Sequence, residues 1–202
     1  MSTKTSQSKT EQTPKLRFPG FSGAWEEKKL GEVAEIIMGQ SPESSAYNTE
    51  GLGVPLIQGN ADITERETTP RNWTTQITKE CNINDIVMTV RAPVGYICRS
   101  LHRACLGRGV CAIRNNEKSD IDYLFQYLLT FEKKWISLEQ GSTFTAVNTK
   151  DVKNLKIPFP SLPEQKKIAD FLTSVDKVIE SKQQQITQAE TWKKGLMQGL
   201  FV

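Results

Sequence analysis

The run Ile157-Pro158-Phe159-Pro160-Ser161-Leu162-Pro163 holds the last prolines of the chain, and the proline-free residues that follow, to Val202, decide the fold. Apolar residues there recur at alternating steps of four and three: Ile168, Leu172, Val175, Ile179, Ile186, Ala189, Leu196 and Leu200. Lys182 and Lys193 fill the two remaining places in that stripe. A 4-3 spacing sustained over several heptads predicts a helix that seeks a partner helix in a coiled coil. At a rise of ~1.5 Å per residue, Pro163 to Leu200 would span about 57 Å. An ordinary amphipathic helix packed on its own domain is the alternative. The two lysines weaken a simple parallel zipper and suit an antiparallel pair, where polar or acidic neighbours can face them.

Ahead of this helix the spacing is mixed. Ile121–Leu138 predicts an amphipathic helix with Leu124, Tyr127, Leu128, Phe131, Trp135 and Leu138 on one side. Asp85–Arg91, Tyr96–Cys98 and Gly109–Arg114 read as strands, with Gly107-Arg108-Gly109 as a turn, and Val54–Gln58 as a short extended piece. Trp25–Met38 has helix-like spacing (Leu30, Val33, Ala34, Ile37) that ends at Gly39, a residue suited to a helix C-cap. Asp151–Ile157 precedes a proline and reads as extended. Lys15–Phe21 and Trp25 put aromatics around a turn, as an irregular flap would. The expected fold is α+β: residues 1–14 a disordered leader, 15–160 a mixed globular body, and 161–202 the long helix.

Composition excludes several classes. The chain has 202 residues, 37% of them hydrophobic, with a mean hydropathy of −0.45. No stretch approaches the ~20 apolar residues of a membrane span, and the start lacks a signal-peptide core, so a cytoplasmic location is expected. Cys81, Cys98, Cys105 and Cys111 form no C-x-x-C pair and His102 is the sole histidine, which argues against zinc and against Cys-His or Ser-His-Asp catalysis. Reduced, buried thiols are the better reading. No phosphate-binding, dinucleotide or methyltransferase motif is present. Asp122 with Glu132-Lys133-Lys134 loosely resembles a metal-dependent nuclease pattern. A solvated helix face, opposite Phe131 and Trp135, accounts for it without chemistry.

Charge is uneven along the chain. Glu11 to Glu65 holds nine acidic and four basic residues, whereas Arg66 to Arg114 holds eight basic, seven of them arginine, and three acidic. Arginine's planar fork suits phosphates and guanine edges. Nucleic-acid contact therefore competes with a surface whose arginines sit in salt bridges. The candidates are Arg66, Arg71, Lys79, Arg91 and Arg108. The hydroxyl-rich segment Gly141–Lys150 adds Ser142, Thr143, Thr145, Asn148 and Lys150, whose groups can donate to phosphates or bases; a loop that caps local backbone is the alternative.

These pieces occur in an order that resembles the specificity subunits of type I restriction-modification systems. Leu16-Arg17-Phe18-Pro19-Gly20-Phe21, Gly39-Gln40-Ser41-Pro42, Tyr47-Asn48, Pro55-Leu56-Ile57-Gln58-Gly59-Asn60 and Arg91-Ala92-Pro93-Val94-Gly95 carry the resemblance, followed by Gly141-Ser142-Thr143. Ile157 to Ala169, through Pro163-Glu164-Gln165, is its most specific part. The resemblance implies a subunit without catalysis or cofactor of its own, whose recognition domain reads one half of a bipartite double-stranded DNA target. A full-length subunit has two such domains and two helices packed antiparallel. Its helices dock methyltransferase subunits, and restriction subunits join that core; S-adenosylmethionine, ATP and Mg belong to those partners. One recognition domain and one helix make this chain half-length, which implies a homodimer or a second specificity half. A protein-interaction or inhibitor module with incidental DNA affinity is the rival, and a stand-alone nuclease is a third reading.

Overall fold

The computed structural model of the chain describes residues 13–141 and 147–201. Strand β1 (Glu26–Lys29), the one-turn helix α1 (Leu30–Val33) and strand β2 (Ala34–Met38) come first. Short strands follow: β3 (Tyr47–Asn48), β4 (Val54–Ile57), β5 (Ile63–Thr64), β6 (Glu67–Thr68), β7 (Asn72–Thr74) and β8 (Glu80–Cys81). The next four are β9 (Ile86–Thr89), β10 (Ile97–Arg99), β11 (Ala104–Leu106) and β12 (Val110–Asn115). Helix α2 (Ile121–Gly141), the short α3 (Thr149–Lys153), strand β13 (Lys156–Phe159) and helix α4 (Leu162–Phe201) complete the order.

The strands form a six-stranded sheet, β2-β12-β9-β10-β6-β5, a five-stranded sheet, β3-β7-β4-β11-β8, and the antiparallel pair β1-β13. Every residue of β9 is buried, because both faces of the larger sheet are covered. Successive side chains of a strand point to opposite faces. Accordingly Ile86 and Met88, with Cys111 and Ile113 of β12, pack in one cluster with Leu124, Leu128 and Trp135 of α2. Val87, with Val110 and Ala112, packs in a second cluster with Ile57, Ala104 and Leu106 of the five-stranded sheet. The larger sheet is thus a shared wall between two cores.

Cys81, Cys98, Cys105 and Cys111 are free thiols with no exposed surface. Burial pushes the Cys98 and Cys111 thiols up to about 12, so both stay protonated and unreactive near neutrality. A maleimide added to the native protein at pH 7 is expected to label none of the four, and all four once denaturant is added. Rapid labelling in buffer alone would show that the shared wall opens.

Three expectations need correction. Trp25–Met38 is not one helix but strand, turn and strand. Only Leu30–Val33 keeps helical geometry, and its buried pair, Leu30 and Val33, generated the helical spacing. Pairing outweighs propensity on either side: Glu26–Lys29 runs against Phe159–Lys156, and Ala34–Met38 against Asn115–Cys111. Asp151–Ile157 is extended only at its end. Asn148 accepts from the Lys150 and Asp151 amides at 2.8 and 3.2 Å, and Asp151 accepts from the Asn148 amide at 2.9 Å. This reciprocal cap starts a helical turn that the following Pro158 does not reach. Glu132, in turn, does not lie on a solvated face. It accepts from the Ile97 amide at 2.8 Å and forms a two-pronged ion pair with Arg66.

Helix α4 is fastened at its root. Buried Glu164 takes both prongs of Arg17 at 2.8 Å, and Arg17 also donates to the Ser22 and Gly23 carbonyls. Gln165 accepts from the Asp120 amide and donates to the Pro160 carbonyl, each at 2.9 Å. Gln126 reaches Asp176 further along. Beyond Thr173 every described residue is exposed, including Val175, Ile179, Ile186, Leu196 and Leu200. The predicted stripe is helical, and among the described residues its outer part has nothing to pack on. No helix among the described residues is long and apolar enough to cross a membrane.

Candidate nucleic-acid interface

Four loops converge beside the strand ends. The Gly39–Pro42 segment leaves β2, Gln58–Asn60 leaves β4, Arg91–Pro93 follows β9, and Gly107–Gly109 joins β11 to β12. Backbone bonds fix them to one another. Gly39 donates to Val110 at 3.0 Å, Gln40 to Leu106 at 2.8 Å, Gly107 to Ile57 at 2.8 Å and Val90 to Gly109 at 2.9 Å. The Arg108 amide reaches the Ser41 hydroxyl at 3.2 Å. Two glycines permit this crowding: a Cβ at Gly39 would overlap the Gly107 carbonyl oxygen, and one at Gly109 the Gln58 carbonyl oxygen. Buried Asp62 holds the Gln58 amide at 2.8 Å from below.

Between these loops lies an open cleft of about 470 Å³, lined among others by Ser41, Ser44, Tyr47, Gln58, Arg91 and Arg108. Asn60 stands at its rim, and the lining contains two guanidinium groups and no carboxylate. The side chains of Gln58, Asn60, Arg91 and Arg108 have no hydrogen bond or ion pair to other described residues. Backbone bonds and the side chains of Ser41 and Asp62 do the holding, and the side-chain polar groups of Gln58, Asn60, Arg91 and Arg108 stay available. Arginine can pair with guanine O6 and N7, and glutamine or asparagine with adenine N6 and N7.

Of the residues singled out from sequence, the cleft brings together Arg91 and Arg108. It does not include Arg66, Arg71, Lys79, Asn148 or Lys150. Arg66 is engaged with Glu132 and the Ile97 carbonyl and stacks on Tyr96 at 4.4 Å. Burial opposes its charge, but the hydrogen bond and attraction from Glu132 outweigh burial and raise its pKa. Arg71 holds Asp62 at 2.9 Å, beneath the cleft. Lys79 and Lys150 are exposed, and Asn148 is spent as the cap of α3. Ser142, Thr143 and Thr145 lie outside the described residues; the neighbouring Val147 amide binds the Val90 carbonyl at 2.9 Å, next to Arg91. Arginine enrichment does not point to Ser41, Ser44, Tyr47, Gln58 and Asn60. The signal that does is the set of short motifs that contain Ser41, Tyr47, Gln58 and Asn60; Ser44 lies between two of them. Among the described residues, no three His, Cys, Asp or Glu side chains are placed to hold a metal.

A mixed α+β body with a cleft of this kind and a clamped, outward-running helix define a known class. Residues 23–191 match the family described as type I restriction modification DNA specificity domain, and the chain belongs to that family. It is 42% identical over 176 residues to the putative type I restriction enzyme MjaX specificity subunit of Methanocaldococcus jannaschii, covering 86% of this chain and 41% of that one. The MjaIX specificity subunit of the same organism is 30% identical over 175 residues, with 80% and 40% covered. The structure also resembles the HsdS subunit from Thermoanaerobacter tengcongensis, with a TM-score of 0.72 at 34% identity over 86% of this chain and 42% of that one. A chain solved in a study of complex assembly and conformational transition of the type I R-M system gives 0.75 at 36% identity, over 90% and 44%. The chain therefore spans about two-fifths of the length of these relatives.

Proposed function

We propose that this chain is a non-catalytic DNA-reading module of a type I restriction-modification complex, acting in the cytoplasm. The cleft reads one half of a bipartite duplex target. Helix α4 pairs antiparallel with a second such helix and offers a docking rail for methyltransferase subunits. Restriction subunits join that core. The chain binds no cofactor; S-adenosylmethionine, ATP and Mg act on the partners. Residues 15–160 serve as the recognition domain and 161–202 as spacer and dimerisation helix. The observation that supports this reading best is the cleft itself: two guanidiniums and two amides without a partner among the described residues, beside hydroxyls, on a fixed frame without a carboxylate in its lining.

Duplex binding by the purified chain, followed across a salt series, tests the reading. Each phosphate neutralised contributes about −0.9 to the slope of log K against log salt, so Arg91 and Arg108 together predict a slope of about −2 or steeper. A flat salt dependence would instead favour a module that binds protein and touches DNA incidentally.

A further inference from the structure

At the root of α4 an apolar cup stands open. Its walls are Leu16, Phe18 and Trp25 from the N-terminal flap, and Ile168, Phe171 and Leu172 from the helix, around a volume of about 370 Å³. Leu16 is 91% exposed and Phe171 52% exposed. The rings of Phe18 and Phe171 meet edge-on with centroids 5.5 Å apart. The Arg17–Glu164 ion pair holds the flap against the helix, so the cup is built rather than incidental. A cavity of roughly 150 Å³ takes a benzene ring, so this one has room for an aromatic ring and a leucine.

The far end of the same helix carries large apolar side chains with no cover: Leu200 is 76% and Phe201 82% exposed. The tail cannot reach its own cup, because the helix is 40 residues long and its ends lie about 60 Å apart. A second copy can reach it. The stripe has a 4-3-4-3-4-3-4-3-4 spacing that reads identically in reverse, so an antiparallel copy aligns every position at once. Ile168 then faces Leu200, Leu172 faces Leu196, Val175 faces Lys193, Ile179 faces Ala189 and Lys182 faces Ile186. The same alignment puts Lys193 beside Asp176 and Lys177 beside Glu190. A parallel copy would put Lys182 against Lys182 and Lys193 against Lys193, which disfavours it. One step past Leu200, Phe201 meets Lys167, whose ammonium lies 5.8 Å from the Phe18 ring.

We infer that the cup at the root of α4 receives Leu200 and Phe201 of a second copy, so that each protomer's flap caps the other's helix end. The inference rests on the antiparallel pairing proposed above and adds a site, formed twice per dimer, that the helix stripe does not itself require.

Cross-linking in the full chain tests it. Leu16→Cys and Phe201→Cys are made singly and together; the native thiols are fully buried and stay out of the reaction. The double variant is expected to give a covalent dimer under mild oxidation, while neither single variant does. Sedimentation at tens of micromolar should show a dimer for all of them. A second measurement is the dimer constant of Leu200→Ser/Phe201→Ser, expected to weaken by at least about 100-fold, since each dimer loses two buried Leu-Phe tails. Dimers that sediment normally while the double variant fails to cross-link would overturn the cup and leave the pairing standing. Cross-linking by Phe201→Cys alone would indicate tails side by side, and a monomeric wild type would overturn cup and pairing together.

Discussion

Arg91→Glu with Arg108→Glu is expected to lower duplex affinity at least about 100-fold at moderate salt, with folding unchanged. Both side chains are exposed and make no ion pair among the described residues, so their replacement removes nothing that holds the body together. On the DNA side, a lost base contact costs about 1–3 kcal/mol, and a lost phosphate contact removes one released counterion. Reversing two charges adds repulsion to both losses. The alanine versions separate the roles: an arginine on phosphate weakens all sequences evenly and flattens the salt slope, whereas one on a base relaxes preference at a single position. Anisotropy titrations of wild type and variants across a salt series would read both quantities. Unchanged binding by the double reversal would remove the cleft as the reading surface. Arg66→Ala should behave differently, because it strips Glu132 of its partner and disturbs the fold first.

Gln165→Leu is expected to be the most destabilising single exchange at the helix root, by about 3–5 kcal/mol. The residue has no exposed surface, and leucine fills much the same space. What leucine cannot do is bond. It leaves the Asp120 amide and the Pro160 carbonyl without partners, and removes a longer contact to the Lys118 carbonyl at 3.4 Å. Each buried group orphaned in this way costs about 1–3 kcal/mol. For a chain of this length each kcal/mol shifts the melting temperature by about 2–4 °C, so a fall of roughly 10 °C is expected. Thermal melts by circular dichroism decide the point; a change under about 2 °C would mean that the Gln165 bonds are dispensable. Asp120 also caps α2, accepting from the Asp122 and Tyr123 amides at 3.0 and 2.9 Å. The loss should therefore loosen α2 as well as α4.

The two long helices, α2 and α4, were the most legible part of the chain, for a physical reason. Beyond Thr173 the α4 stripe is unpartnered among the described residues, so nothing distant overrides its period there, and the two lysines that interrupt it are exposed. The strands β9 and β12 were legible as apolar runs, since a sheet covered on both faces leaves no polar alternation. Strands of two or three residues, such as β3, β6 and β8, were not, because pairing rather than local sequence defines them. Trp25–Met38 misleads for the opposite reason: one genuine helical turn sets the spacing, and two long-range pairings take the rest. At the cleft, Arg91 and Arg108 could be named from charge. That Arg66 would instead serve the fold depends on Glu132, 66 positions away, which no local pattern reveals. Pro163-Glu164-Gln165 stood out as a motif, yet the roles of Glu164 and Gln165 are mechanical: they bind Arg17, Asp120 and Pro160.

The way the cleft loops are pinned has a consequence for how such a surface can change over time. Gly39 and Gly109 let backbone lie on backbone, and main-chain hydrogen bonds, helped by the side chains of Ser41, Asp62 and Thr78, fix the loops. The side chains at 58, 60 and 108 play no part in that fixing. On the proposed reading, the frame behaves like a composing stick in a print shop: it grips the blanks and leaves the letters loose. Exchanging a letter alters the word that is read while the frame keeps its shape, so new specificities are open to this fold by single substitutions that the two cores never feel.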